Sequence, residues 1–180
     1  AWLEMIHRYL ASVLGLLILA LAGLAWSLRK TPGQPLLAPV FLVPLVCLQG
    51  ALGKWTVTLL LKPLVVTAHL LGGMTTFALL IWNLCAASAP NAGALTRTLK
   101  PLSLLALAVL SVQIFLGGWT STNYAALACT DFPTCQGSFW PRMSFDEAFI
   151  LWRGLGVNCE FGVLDTPART AIHYTHRLWA

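Results

Sequence analysis

Glu4, His7 and Arg8 stand in the stretch EMIHRYLA at the mouth of an apolar run, and His173, His176 and Arg177 stand in IHYTHRLWA at the other end; His69 completes the four histidines of the chain. Imidazole is a common axial ligand of haem iron and a ligand of zinc, and a carboxylate one helical turn away can stabilise positive charge or move a proton. Glu4 lies three residues before His7 and four before Arg8, so one helical face can present all three. The constellation is echoed within the chain. Glu4, His7, Arg8 and Ala11 correspond to His173, His176, Arg177 and Ala180 at a constant offset of 169, and Gln49, Leu52, Gly53, Trp55 and Thr56 correspond to Gln113, Leu116, Gly117, Trp119 and Thr120 at a constant offset of 64. Membrane proteins built by duplication carry weak symmetry of this kind, with sites within or between the repeats. A four-helix unit used twice accommodates both echoes.

The elements that must position these residues follow from composition. Hydrophobic residues make up 58% of the chain and charged residues 9%, with a mean hydropathy of +0.76, against about 25% charged in soluble domains. The sequence predicts an all-α polytopic membrane protein. Apolar runs of about 20 residues, enough to cross a bilayer, extend from Met5 to Leu28, Leu36 to Gly53, Leu64 to Ala87 and Pro101 to Trp119, and a fifth begins near Thr170. The head of the first run lacks the form of a signal peptide, so it is read as a retained helix. A chain that opens on Ala1 and closes on Ala180 in helical sequence is expected to be an internal piece of a longer protein.

Arg29 and Lys30 follow the first span, Arg97 and Lys100 the third, with no acidic residue in either loop; this marks both loops as cytoplasmic and the opposite face as outer. Lys54 and Lys62 lie on that outer face, as does the polar segment 120–169. The net charge of +5 is explained by loop residues and a few outer cations, with no need of nucleic acid. On this topology all four histidines open helices that run inward from the outer face. Four residues after His7, His69 and His176 stand Ala11, Gly73 and Ala180, and Gly72 adds room beside His69; a flat macrocycle against a helix needs such gaps. Each histidine alone reads as a headgroup anchor or core residue, and small residues as helix packing. Level, repetition and spacing together favour a haem site between facing helices, with Arg8, Arg177, Lys54 and Lys62 placed to meet propionates. Zinc is the weaker reading, because His173 and His176 have no cysteine or paired acid at ligand spacing.

Cys47 and Cys85 lie inside spans and read as small packing residues. Cys129, Cys135 and Cys159 lie in the outer segment, where disulfides form. A pair six residues apart can close a small ring containing Pro133, with Cys159 left over, but whether Cys129 joins Cys135 or Cys159 stays open at this point.

The motifs EMIHRYLASVLG, LQGALGKWTVTLLLKPLVVTAHLLGG, LGGWTSTNYAALACTDFPTCQG and IHYTHR, in this order along nearly the whole chain, resemble the proteobacterial branch of the heme A synthase family. The resemblance implies an eight-helix membrane protein of two pseudo-symmetric four-helix halves. Residues 1–100 would be the remainder of the amino-terminal half, with three spans. Residues 101–180 would start the carboxy-terminal half: one full span, the outer loop 120–169 and the beginning of the next helix. The implied activity is oxidation of the C8 methyl group of heme O to a formyl group, through a diol that loses water, giving heme A for terminal oxidases. His7 and His69 would be the axial pair of the substrate haem, Glu4 the catalytic carboxylate, and His176 one ligand of a haem b cofactor whose other ligand lies on the eighth helix. His173 would stand beside that ligand, and Cys129 would pair with Cys135. The implied setting is the bacterial inner membrane, with histidine-bearing helix ends and cysteine loop on the periplasmic side. The implied partners are heme O synthase as substrate donor, an unidentified electron donor and the cytochrome oxidase assembly route; a homo-oligomer is left open. A b-type cytochrome that only carries electrons is the alternative, and Glu4 discriminates, since an electron carrier does not need it. A haem-handling assembly factor would form no new pigment. A prenyl transferase would need paired aspartate-rich motifs, whereas Asp131, Asp146 and Asp165 are scattered.

Overall fold

In hydrocarbon every backbone donor and acceptor must be satisfied within the chain, so long apolar runs fold as helices. The computed structural model describes residues 2–88 and 94–180, with side chains described for all of these except 94–98. It contains α1 (Trp2–Ser27), α2 (Leu37–Thr58), α3 (Pro63–Ser88), α4 (Ala94–Thr122), the single turn α5 (Phe145–Ala148) and α6 (Thr166–Trp179). Four helices have the length and composition to cross a membrane: α1, α2, α3 and the Leu99–Thr122 part of α4. At 1.5 Å per residue the 26 residues of α1 extend for about 39 Å, more than the roughly 30 Å of a hydrocarbon core. Pro63 opens α3, where a missing N–H costs nothing. Pro44 and Pro101 lie inside α2 and α4, a placement that membrane helices tolerate.

Several expected boundaries move. Helix α2 continues past Gly53 to Thr58. Arg97 and Lys100 fall in the first turns of α4 rather than in a loop; the Arg97 side chain lies outside the described residues. The outer segment runs from 123 to 165 rather than 120 to 169, and it contains α5. Helix α6 starts early because Asp165 caps it, its Oδ1 accepting from Ala168 N at 3.0 Å, with Pro167 in the first turn. His173 and His176 therefore lie about two and three turns inside the helix rather than at its start. Cys47 and Cys85 are exposed, on helix faces that this chain leaves uncovered, not in a packed interior.

The chain forms two compact units. The first comprises Ala1–Ala51 and Gly72–Thr98, the second Leu52–Leu71 and Leu99–Ala180. In the first, α1 buries only Ile18 and Ala25. In the second, a core of Trp119, Ala125, Ala148, Leu164, Ala168, Ala171 and Ile172 joins the end of α4, the outer segment and α6. Trp119 anchors it: the indole is 1% exposed, its Nε1 donates to Ala148 O at 2.9 Å, and Phe115 stacks on it at 5.8 Å.

Candidate functional site

In the first unit, helix periodicity presents Glu4, His7 and Arg8 along α1. Glu4 Oε1 accepts from Arg8 at 2.6 Å, with the two side chains more than half exposed; His7 is exposed beside them. In water such a pair contributes little to stability. Of the glycines after His69, Gly72 is occupied by a side chain, whereas Gly73 stays open. A Cβ on Gly72 would lie 1.8 Å from Gln49 Nε2, and one on Gly73 would lie 4.0 Å from Gln49 Oε1. The Gln49 carboxamide thus rests on bare backbone, its buried Nε2 without a hydrogen-bond partner among the described residues.

In the second unit, the residue facing each candidate ligand is a glycine of the repeated motif on a neighbouring helix. A Cβ on Gly53 of α2 would meet His69 Cε1 at 3.3 Å, and one on Gly117 of α4 would meet His176 Cε1 at 3.4 Å. His69 and His176 are both half-buried. His176 Nδ1 is buried with no hydrogen-bond partner among the described residues. An imidazole seated on bare backbone fits coordination of a planar, metal-bearing group.

Helix α6 also grips the outer loop. Cys129 and Cys135 form a disulfide, S–S 2.03 Å, and Cys159 is free and buried, which resolves the pairing. The Arg177 guanidinium donates to three carbonyls of that ring: Asp131 O at 2.7 Å, Thr134 O at 3.1 Å and Cys129 O at 3.2 Å. A rigid five-donor fork suits this where a lysine would not. His173 Nδ1 accepts from Cys129 N at 3.2 Å, and the Tyr174 hydroxyl donates to Phe139 O. Both expected outer cations near the α2–α3 turn have places: Lys54 is exposed, whereas Lys62 is 2% exposed and donates from Nζ to Val157 O at 2.9 Å, over the Trp152 ring at 5.8 Å. Leu60 and Leu61, both at φ 56°, make that turn, and Cys159 N donates to Leu60 O at 3.0 Å.

Inside the disulfide ring the Asp131 carboxylate accepts from the Thr134 hydroxyl, from Gln136 N at 2.7 Å and from Gly137 N at 3.0 Å. The Thr134 hydroxyl and the Gly137 amide, in that order, hold its pKa down, from 3.8 to about 2. A depressed carboxylate stabilises the fold above its unfolded pKa, and that contribution disappears as pH falls from about 3.8 through about 2. Amide exchange at Gln136 and Gly137 should therefore accelerate across this window beyond its intrinsic pH dependence. In Asp131→Asn the extra acceleration should vanish; a wild-type profile there would refute the role of the carboxylate.

Sequence reasoning missed the glycine seats, the Lys62 anchor and the carbonyl clamp of Arg177. The Gln-x-x-Leu-Gly-x-Trp-Thr repeat was a signal for the first; the others involve partners with no marked sequence pattern.

Fold and site define a multi-pass helical membrane protein with paired imidazole seats and a disulfide-closed loop. The chain belongs to the COX15-CtaA family, described as cytochrome oxidase assembly protein, which matches residues 1–180. It is 48% identical over 185 residues to the heme A synthase of Shewanella oneidensis, a match covering 100% of this chain and 54% of the relative. It is 28% identical over 192 residues to that of Novosphingobium aromaticivorans, covering 98% and 51%, and 31% identical over 189 residues to that of Sphingopyxis alaskensis, covering 98% and 49%. The chain thus spans about half the length of the curated relatives it matches. No solved structure gives a significant match.

Proposed function

We propose that this chain works within a heme A synthase, oxidising the C8 methyl group of heme O to a formyl group and so supplying heme A for terminal oxidases. The observation that carries this is the 48% identity to a heme A synthase across the whole chain. His7 and His69 are assigned as axial ligands of the substrate haem, and His176 as one ligand of a haem b cofactor. Residues 1–100 belong to the amino-terminal half and 101–180 to the carboxy-terminal half. Bound haem would supply the redox chemistry. The chain's own residues hold and orient it: His69 and His176 through their ring nitrogens, Arg8 and Lys54 as cations toward propionates, and Glu4 as the group that holds a proton or faces developing positive charge; Lys62 and Arg177, expected in the same role, are instead engaged with loop carbonyls. Of the four cations, Arg8 and Lys54 have exposed side chains, which supports their reaching outward. His173 supports the disulfide loop beside His176.

The same reading places the chain in the bacterial inner membrane with the disulfide loop periplasmic. Support comes from the exposed Arg29 and Lys30 after α1, from the positive-inside rule and from the oxidising chemistry a disulfide needs. Heme O synthase is the expected substrate donor, and a separate protein supplies or removes electrons. Pigment extraction from membranes of cells that express the full-length protein with a heme O source should yield heme A, and His7→Met should abolish it. Haem b spectra without heme A would leave an electron-carrying cytochrome instead.

A further inference from the structure

We infer that Gly53 and Gly117 are positioning residues for the imidazoles of His69 and His176, setting where each Nε2 sits and leaving clearance for a group bound there. The inference rests on the haem-ligand reading of the two histidines. Both pairs lie in the second unit, and they show the same packing on different helices: α2 with α3, and α4 with α6. A Cβ on Gly53 would lie 3.3 Å from His69 Cε1 and 3.7 Å from Nε2; a Cβ on Gly117 would lie 3.4 Å from His176 Cε1 and 3.9 Å from Nε2. The Cε1–Nε2 edge faces the glycine both times. Carbon atoms pack best at about 3.5–4.0 Å, so an added methyl on Gly53 must push the His69 ring aside by tenths of an ångström, and one on Gly117 would press the His176 ring at the near limit of ordinary contact. Either would also crowd whatever is coordinated at Nε2.

The constraint matters most at His176. Ligating histidines are ordinarily oriented by a hydrogen bond from the second ring nitrogen. Here Nδ1 is buried without such a partner among the described residues, so packing against Gly117 takes over the orienting role. The two copies of the Gln-x-x-Leu-Gly-x-Trp-Thr motif have diverged in what their tryptophans do, since Trp55 is 45% exposed and Trp119 1%. They retain the glycine-on-imidazole contact.

The test uses the full-length holoprotein carrying Gly53→Ala or Gly117→Ala, with Gly50→Ala as control because a Cβ there meets nothing within 4 Å. His69→Ala and His176→Ala are prepared alongside. Haem content and the low-spin electron paramagnetic resonance signal are read on the haem-bearing fraction, so reduced accumulation does not obscure them. Each glycine variant should shift the signal of one haem population and weaken its retention about 10-fold, the low end for residues that orient metal ligands; Gly50→Ala should match wild type. Unshifted signals and wild-type retention in Gly53→Ala and Gly117→Ala, with haem lost in the histidine variants, would overturn the positioning role and leave the ligand reading standing. So would an equal shift in Gly50→Ala. Full haem content in both histidine variants would refute the ligand reading itself, and this inference with it.

Discussion

Glu4→Ala in the full-length protein should lower heme A formation by about 100-fold or more, in the range expected for loss of a positioned acid or base, while the haem spectra stay those of wild type. The carboxylate lies on the first turn of α1 with His7 one turn along, and it pairs with Arg8 at 2.6 Å, more than half exposed on both sides. A pair in that setting contributes little to folding, so the variant should accumulate normally and the deficit should report chemistry. Glu4→Gln preserves shape and removes charge, and should be nearly as impaired. Time-resolved pigment analysis measures both. Heme A formed at the wild-type rate in Glu4→Ala would remove this residue from the catalytic machinery, and with it the feature that separates a synthase from an electron carrier.

The second large effect concerns the outer loop. Trp119→Ala should destabilise the second unit by about 3–5 kcal/mol, the usual cost of truncating a buried large aromatic residue. Trp55→Ala, at the same place in the other copy of the motif, should cost far less, because Trp55 is 45% exposed and Trp119 1%. Three losses coincide at Trp119: its buried area, its stacking on Phe115 and the donor to Ala148 O. Trp119→Phe keeps most of the first two and leaves a carbonyl short of its partner, so it should cost roughly 1–3 kcal/mol. Thermal unfolding in detergent, followed by haem release and by loss of helical signal, ranks the variants. Equal midpoints for Trp119→Ala and Trp55→Ala would show that the loop is held by something else.

These two predictions draw on different levels of legibility. Glu4 could be singled out without a structure because its relation to His7 and Arg8 is local: three and four residues along a helix fix a common face. Trp119 could not be told from Trp55, since the two share a motif and differ only in what folds back over them. The Cys129–Cys135 bridge falls between. A six-residue spacing permitted it, but the competing Cys159 is excluded by its burial elsewhere, beside the α2–α3 turn. Lys62 shows the limit plainly. As a cation between two apolar spans it reads as solvent-facing, yet it is buried because Val157, 95 residues away, supplies a carbonyl.

By itself the sequence determined that this is a multi-pass helical membrane protein, where its four spans lie, and which histidines and carboxylate belong to helix faces. The physical reason is that in hydrocarbon the length of an apolar run and the 3.6-residue period decide these things locally. Only the tertiary structure decided that Gly53 and Gly117 seat imidazoles, that Gln49 fills the gap at Gly72, that Arg177 clamps the disulfide ring through its carbonyls, and that α6 begins at Thr166 under an Asp165 cap. Most of those contacts join residues distant in the chain, and the cap depends on a short local geometry that an apolar pattern does not record.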